Sequence, residues 1–352
     1  MIELRTFADD PAELQRFVVG TWKQSYGGKM LCPLWPTEYF AWQFGGPNGL
    51  ERDHWVAAYD GGKLVGAVLG LPLRFQIGGR EFSGTQGSWL SVDPEYRRQK
   101  VGSQLRAEMI HRHQERDLVG QLGYIFQGSL FSLGNPFWTS KNKQGSDVIR
   151  RVGKWVRVLN PRKAAAWNLS RAEALATTLA APLIRIPRRS TNGTIRAGRA
   201  SDATVCVELA NEASRATDFG IVWDEATLTR YLSGGVGRSR VLERDGAVRG
   251  FCTYHLLPIL GRTEESLGII DLIVTRRLTA TDARALVNDV LFDLNKAGAI
   301  VALRQNAGDL PWSLMLQTGF VPRLADSGVV CSWADPNNPP VRRVNSLHVL
   351  WR

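Results

Sequence analysis

Apolar and polar positions run along the chain in two rhythms, and each rhythm occurs twice. The stretch IELRT (2–6) alternates like a strand, and FADDPAEL (7–14) follows as a turn and helix start. Near residue 195, TIRAGRASDATVCVEL repeats that strand, turn and helix N-terminus. AAYDGGKLVGAVLGLPL (57–73) is two apolar runs about a Gly-rich turn, and VLERDGAVRGFCTYHLLP (241–258) is two more about Asp245-Gly246. Asp-Gly between apolar runs predicts a hairpin, because the tight turn needs positive φ at both positions. The offsets all fall at roughly 185 to 195 residues, which predicts an internal duplication.

Both halves continue alike. A strand ends at Val92 in the first and at Val274 in the second. Helical spacing then puts Val101, Leu105 and Met109 on one face, and Ala285, Val290 and Leu294 on another. Further strands follow, with Leu122, Tyr124 and Phe126 on one side in the first half and AIVALRQ (299–305) in the second. AAAWNLSRAEALATTLA (164–180) reads as helix, and PLIRIPRRSTNGT (182–194), rich in Pro and Arg, as the link between halves. The division is therefore 1–165, a helix and linker over 166–193, and 194–352.

Composition narrows the function classes. With 352 residues, 44% hydrophobic and 22% charged, the chain is globular in type. No apolar run reaches the ~18 residues of a bilayer span. The opening MIELRTFADDPAEL has neither the basic nor the apolar region of a signal peptide. Cys32, Cys206, Cys252 and Cys331 lie far apart with no CxxC, which predicts reduced thiols in a cytoplasm. The five histidines show no metal spacing, and His111 and His113 face apart on a helix, so no metal is expected. A net charge of +11 points to an anionic partner: nucleic acid, a membrane surface or a phosphorylated ligand. The aromatics are not interleaved with a basic stripe, which weighs against nucleic acid.

The chemistry concentrates in WLSVDPEYRRQKVGSQLRAEM (89–109). An apolar strand reaches Asp93-Pro94, and Arg97, Arg98 and Lys100 gather before Gly102 and a helical pattern. A helix N-terminus presents unpaired N–H groups and a positive dipole end. An inward-folding loop adds an anion nest. Arg97 to Ser103 is thus a predicted phosphate cradle, with neither the GxxxxGK[ST] of a P-loop nor the dinucleotide GxGxxG. The counterpart VTRRLTATDARAL (274–286) lacks the glycine.

The pattern VxPxxRxxxVG, here Val92 to Gly102, resembles the acyl-coenzyme A loop of the GCN5-related N-acetyltransferase (GNAT) superfamily, with Lys100 in place of that motif's first glycine. A basic residue there resembles the N-myristoyltransferases, which are tandem copies of the GNAT fold. Similar to them in order along the chain are WPTEYFAW (35–42), Lys63-Leu64-Val65-Gly66, KWVRVLNPRKA (154–164), FCTYHLLP (251–258), LQTGF (316–320) and the strand ending at Trp333. The resemblance implies an α+β fold of two GNAT-like domains forming a pseudo-two-fold, double-length mixed sheet, the first binding acyl-CoA and the second shaping the acceptor side. It implies an N-acyltransferase that moves an acyl group from a CoA thioester to a primary amine. Backbone N–H groups of Trp89 and Leu90 would form the oxyanion hole, and Leu90 and Val92 would hold the pantetheine. Arg97, Arg98, Gln99, Lys100, Val101, Gly102 and Ser103 would cradle the pyrophosphate. The terminal carboxylate of Arg352 would be the base, with His255 and His348 as rivals, and Asn160 of the NPRK run completes the catalytic candidates. Two departures bear on the acceptor, a small amine, amino acid or peptide. YGGKMLCPLW (26–35) has no carboxylate where that family reads a basic peptide residue, and Leu256 stands at its threonine. A small-molecule N-acetyltransferase using acetyl-CoA and a non-catalytic acyl-CoA-binding protein are the alternatives.

Overall fold

A computed structural model describes the chain except at residues 47, 48, 51, 140–145, 190–193 and 352. The principal strands are β1 (Ile2–Thr6), β2 (Trp55–Asp60), β3 (Lys63–Ile77), β4 (Arg80–Val92), β5 (Gly120–Phe126) and β6 (Ser146–Val158) in the first half. The second half supplies β7 (Thr194–Ala197), β8 (Phe219–Val222), β9 (Arg238–Arg244), β10 (Ala247–Leu260), β11 (Glu264–Val274), β12 (Val301–Asn306), β13 (Val321–Trp333) and β14 (Leu347–His348). The helices are α1 (Pro11–Tyr26), α2 (Thr37–Phe44), α3 (Val101–Glu115), α4 (Gly134–Thr139), α5 (Pro161–Trp167), α6 (Arg171–Ala180), α7 (Ala203–Arg215), α8 (Glu225–Ser233), α9 (Ala280–Lys296) and α10 (Trp312–Gln317).

Twelve strands of one fifteen-stranded sheet follow in the order β1-β2-β3-β4-β5-β13-β6-β12-β11-β10-β9-β7. Read from either edge, that order is the same once each strand is exchanged for its counterpart in the other half. This is the pseudo-two-fold sheet that the resemblance implies. The two halves are joined by exchange at the centre. β13, from the second half, pairs with β5 from Ser327↔Phe126 to Trp333↔Gly120, while β6, from the first, pairs with β12 from Val301↔Val158 to Asn306↔Gly153. The sheet therefore runs continuously across the two halves, and residue 165, read as the end of the first, falls inside α5.

Local sequence explains the elements. Asp10 caps α1 by accepting the Ala12 N–H at 2.9 Å, with Pro11 in the first turn. The hairpin turns are where they were read: Gly61 and Gly62 have φ of 54° and 86°, and Asp245 and Gly246 have 51° and 73°. Val101, Leu105 and Met109 are buried against Val56, Ala58 and Val65 of β2 and β3, as the spacing predicts. The stretch 164–180, read as one helix, is two. Asn168 ends α5, and Ser170 starts α6 by accepting the Glu173 N–H at 3.3 Å. The capping residues outweigh the run of alanines on either side. All four cysteines are buried and free. No helix among the described residues is long and apolar enough to cross a membrane.

Two histidines are buried between α3 and the β2–β4 sheet. His113 Nε2 lies 3.0 Å from the Thr85 hydroxyl, and the His54 ring is 5.5 Å from that of His113. Burial holds both neutral, lowering His54 to about 4 and His113 to about 3. Folding therefore excludes protons that the unfolded chain accepts near pH 6.5. Stability should fall as pH drops below about 6.5, by up to about 1.4 kcal/mol per pH unit for each ring, until the folded values are reached. Denaturant titrations between neutral pH and pH 5 should show this slope. His113→Gln, which keeps a partner for Thr85 and does not titrate, should remove about half of it; an unchanged slope would place its origin elsewhere.

Candidate active site

The centre of the first half is a place where the sheet comes apart. β4 and β5 run parallel but pair only at Thr85↔Gln121 and Gln86↔Leu122. Beyond that, β4 continues to Val92 on the arm of β3, and β5 continues to Phe126 on the arm of β13. The two strands thus form a fork whose inner edges carry unpaired backbone groups, able to take up an extended ligand as a strand would.

On the β4 arm the ladder breaks again. Ser88 pairs with Leu69 and Ser91 with Ala67, so Trp89 and Leu90 together oppose Val68 in a β-bulge. Trp89 has φ 55°, in the left-handed region that an aromatic residue rarely adopts. Such strain persists only where packing over-determines it. The Trp89 ring is buried, stacked on Phe40 at 4.5 Å and set against Phe44 at 5.1 Å, Trp35 at 5.5 Å and Tyr39 at 6.1 Å. WPTEYFAW and the α2 helix it starts thus serve to lock the bulge. Leu90 and Val92 are half-buried and pack toward α3.

Past Val92 the chain makes the predicted loop. Asp93 accepts the Glu95 N–H at 3.0 Å and takes the Lys63 ammonium at 3.0 Å, holding a short 3₁₀ turn. Arg98 and Lys100 both have φ 64°, an alternation about Gln99 that curls successive N–H groups to one side. Lys100 thus takes the conformation a glycine adopts without strain, which is the physical content of its replacing one. Lys100 then starts α3 with no side-chain cap, and no acidic residue stands in the first turn. Arg98, Gln99 and Lys100 are exposed, as is Ser103, and among the described residues Arg98 and Lys100 form no ion pair. Arg97 instead donates to the Ser25 hydroxyl at the end of α1. A Cβ on Gly102 would meet the Phe137 ring at 3.5 Å and Val92 at 3.7 Å, ordinary contacts, so packing within the chain does not demand the glycine.

The C-terminal segment reaches the same fork. Leu347, His348, Val349 and Leu350 are buried, and the Gln86 side chain donates to the Leu350 carbonyl at 2.7 Å, at the last β4–β5 pair. Lys154 of β6, also paired with Asp326 at 2.5 Å, lies 5.5 Å from the Trp351 ring centre and 4.9 Å from that of Phe126 at the tip of β5. Burial pulls its ammonium below the usual lysine range. Arg352 itself lies outside the described residues. Gln86 and Lys154 were missed by sequence reasoning. Gln86 sits in no motif, Lys154 opens the KWVRVLNPRKA run without being singled out within it, and only the meeting of β4, β6 and the tail reveals them.

The remaining candidates divide. His255 on β10 is buried, with Nδ1 2.8 Å from Asp271, which sits at a register irregularity of the β10–β11 ladder. Its ring is 5.4 Å from Tyr39 and 5.1 Å from Trp42, so one tyrosine bridges His255 and Trp89. His348 Nδ1 is 3.5 Å from Asp309, itself bound by Arg304 at 2.5 Å. The structure does not bring Asn160 to the bulge. It caps α5 by accepting the Lys163 N–H at 3.1 Å, beside the start of β12.

The second half repeats the fork but not the cradle. β11 and β12 pair only at Gly268↔Ala302 and Ile269↔Leu303. There, however, Thr279 caps α9 by accepting the Asp282 N–H at 3.2 Å, and Asp282 in the first turn is bound by Arg244. Arg277 is held by Glu208 and Glu212. The positive end of α9 already has its anion.

Comparison with known proteins agrees with this geometry. Residues 22–130, which include β2 to β5 and the loop, match the family model described as an acetyltransferase (GNAT) domain. No curated protein matches the sequence. Among solved structures, the chain is similar to N-myristoyltransferase of Saccharomyces cerevisiae with bound myristoyl-CoA, with a TM-score of 0.76, 15% identity, and 99% of this chain and 89% of that one covered. It is also similar to a probable N-acyltransferase of Enterococcus faecalis (TM-score 0.56, 13% identity, 94% and 72% covered). A GCN5-related N-acetyltransferase of Kribbella flavida matches at a TM-score of 0.52, 15% identity, and 94% and 70% covered. Residues 22–130 thus match a GNAT domain model, and the chain as a whole shares its fold with N-myristoyltransferase.

Gln86→Leu should release the C-terminal segment from the fork. It leaves a buried carbonyl without its donor, at a cost of about 1–3 kcal/mol. Amide exchange over 347–350 should then quicken relative to the rest of the sheet. Unchanged exchange there in a folded variant would show that Gln86 does not hold the tail.

Proposed function

We propose that the chain is an acyl-CoA-dependent N-acyltransferase that transfers its acyl group to a primary amine by direct attack. The observation that carries this reading is the left-handed bulge at Trp89–Leu90, set on the open arm of the β4–β5 fork and joined by the Asp93–Gln99 loop to an uncapped, basic helix entry. Phosphates would sit on the Arg98–Ser103 backbone with Arg98 and Lys100 adding charge. The pantetheine would lie between the arms, alongside Leu90 and Val92. The thioester carbonyl would then meet the Trp89 and Leu90 N–H groups, a pair of preorganised donors for the oxyanion. The amine nitrogen attacks the carbonyl carbon, the C–N bond forms, the C–S bond breaks, and the thiolate departs as the amine gives up its proton.

In this reading the proton goes to the α-carboxylate of Arg352. What supports it is the burial of 347–350 and the Gln86 tether, which carry the tail to the fork. Desolvation beside the ammonium raises a carboxylate's pKa and makes it a better base. His255 and His348 each have a carboxylate partner and are the rival bases. A short acyl group, as in an acetyl-CoA-dependent enzyme acting on a small amine, is favoured by one observation. The Phe40 and Phe44 rings both pack against Trp89 beside the bulge. The halves divide the labour, the first holding the thioester and the second, from residue 194, shaping the acceptor side.

Gly102→Asp puts a carboxylate where the pyrophosphate would lie, with room in the chain to accommodate it. Coenzyme A binding by calorimetry should weaken at least tenfold, about 1.4 kcal/mol, while Arg276→Asp in the second half leaves it unchanged. Equal affinity in folded Gly102→Asp would remove the cradle from this loop.

Extending the chain by a short tag after Arg352 should lower turnover by about 10²–10⁴-fold, the usual worth of a general base, with coenzyme A affinity retained. Full turnover by the tagged protein would move the base to His255 or His348, each then tested by replacement with Gln.

A further inference from the structure

The second surface of interest is far simpler than the fork. Helix α6 contains no buried residue. Leu175 and Leu179 on it are 61% and 71% exposed, and Leu183 and Ile186 just beyond are 82% and 66% exposed. Leu175 and Leu179, four apart, share one side of α6, and Leu183 and Ile186 follow in the 3₁₀ turn and the extended segment after it. On the end of β13 that Arg323 ties to α6, Val321 is 63% and Leu324 92% exposed. The two surfaces are stitched together: Arg323 binds Glu173, and Arg157 donates to the carbonyls of both Gly319 and Arg185. Single exposed leucines are ordinary, but six exposed aliphatic side chains on two adjoining segments are not.

The border of the patch is cationic. Arg171, Arg185 and Arg188 are exposed and form no ion pair among the described residues, and Arg162 stands nearby on α5 in the same state. The acidic groups beside them are already taken, Glu173 by Arg323 and Asp289 by Arg189. A second copy of this chain would bring the same arginines against themselves, on top of a net charge of +11. Nucleic acid would satisfy the arginines and leave the leucines in water. An anionic bilayer satisfies both, taking a surface helix's apolar side into the headgroup–acyl boundary and arginines onto lipid phosphates.

We propose that α6, the turn after it and the adjoining end of β13 form a docking face for an anionic membrane surface. The docking face does not depend on the acyltransferase reading. The test is co-sedimentation of the full chain with vesicles of phosphatidylcholine mixed with phosphatidylglycerol. The protein should bind these and bind pure phosphatidylcholine vesicles much more weakly, with binding to the mixed vesicles falling as salt rises. Leu175→Asn with Leu179→Asn should weaken binding by about tenfold or more, and Arg185→Gln with Arg188→Gln by a similar factor. Both pairs are on the surface and should leave thermal stability and coenzyme A affinity unchanged. Arg98→Gln, which removes equal charge per residue from the fork loop, should bind vesicles as the parent does. The proposal is overturned by failure of the parent to bind the mixed vesicles, or by binding that the leucine pair leaves intact. A dimer in sedimentation equilibrium that the leucine pair dissolves would assign the face to a second copy instead.

Discussion

Everything in the proposed chemistry depends on two parallel strands that stop pairing early. A sheet normally satisfies its backbone groups through its neighbours, and unpaired groups away from water are costly. β4 and β5 meet at two residue pairs and then part, yet each keeps its outer partner. The fold can hold this opening because β13 crosses from the other half to support the β5 arm, and β6 crosses back to support β12. Exchange of the central strands makes a single rigid sheet out of two copies that would otherwise each end in an open edge.

The same duplication explains why only one fork is fitted for a phosphorylated ligand. Both halves have parting strands followed by a helix. In the first, two left-handed residues, a basic loop and an uncapped helix start leave positive charge unspent. In the second, Thr279, Asp282, Glu208 and Glu212 neutralise the corresponding positions. The difference lies in a few side chains on a shared backbone, which is how one copy of a duplicated fold can be turned to another task. The tail then ties the two together, running from Ala307 at the end of β12 to Gln86 at the base of the first fork.

Much of this was legible in the sequence because it was written in local terms. Asp-Gly turns, helical spacing and the position of Lys100 depend on neighbours along the chain, and the hairpins, α3 and the loop stand where they were read. The split of 164–180 was local too, but the alanines on either side masked Asn168 and Ser170. What stayed hidden is non-local. Nothing in the sequence of Ser146–Val158 says that it pairs with strands from more than a hundred residues away. Gln86 and Lys154 acquire meaning only from the tail that reaches them. The strain at Trp89 depends on rings contributed by residues 35–44. Asn160, drawn in by its motif, caps the start of a helix.

The central claim is that an acyl thioester lies in the first fork with its carbonyl against the bulge. A crystal structure with a non-hydrolysable acyl-CoA analogue, its thioester replaced by a methylene ketone, tests it directly. The account predicts the ketone oxygen at about 3 Å from both the Trp89 and Leu90 nitrogens, with the pyrophosphate on the Arg98–Ser103 backbone. A ligand seated in the β11–β12 fork, or a carbonyl that meets neither nitrogen, would contradict it.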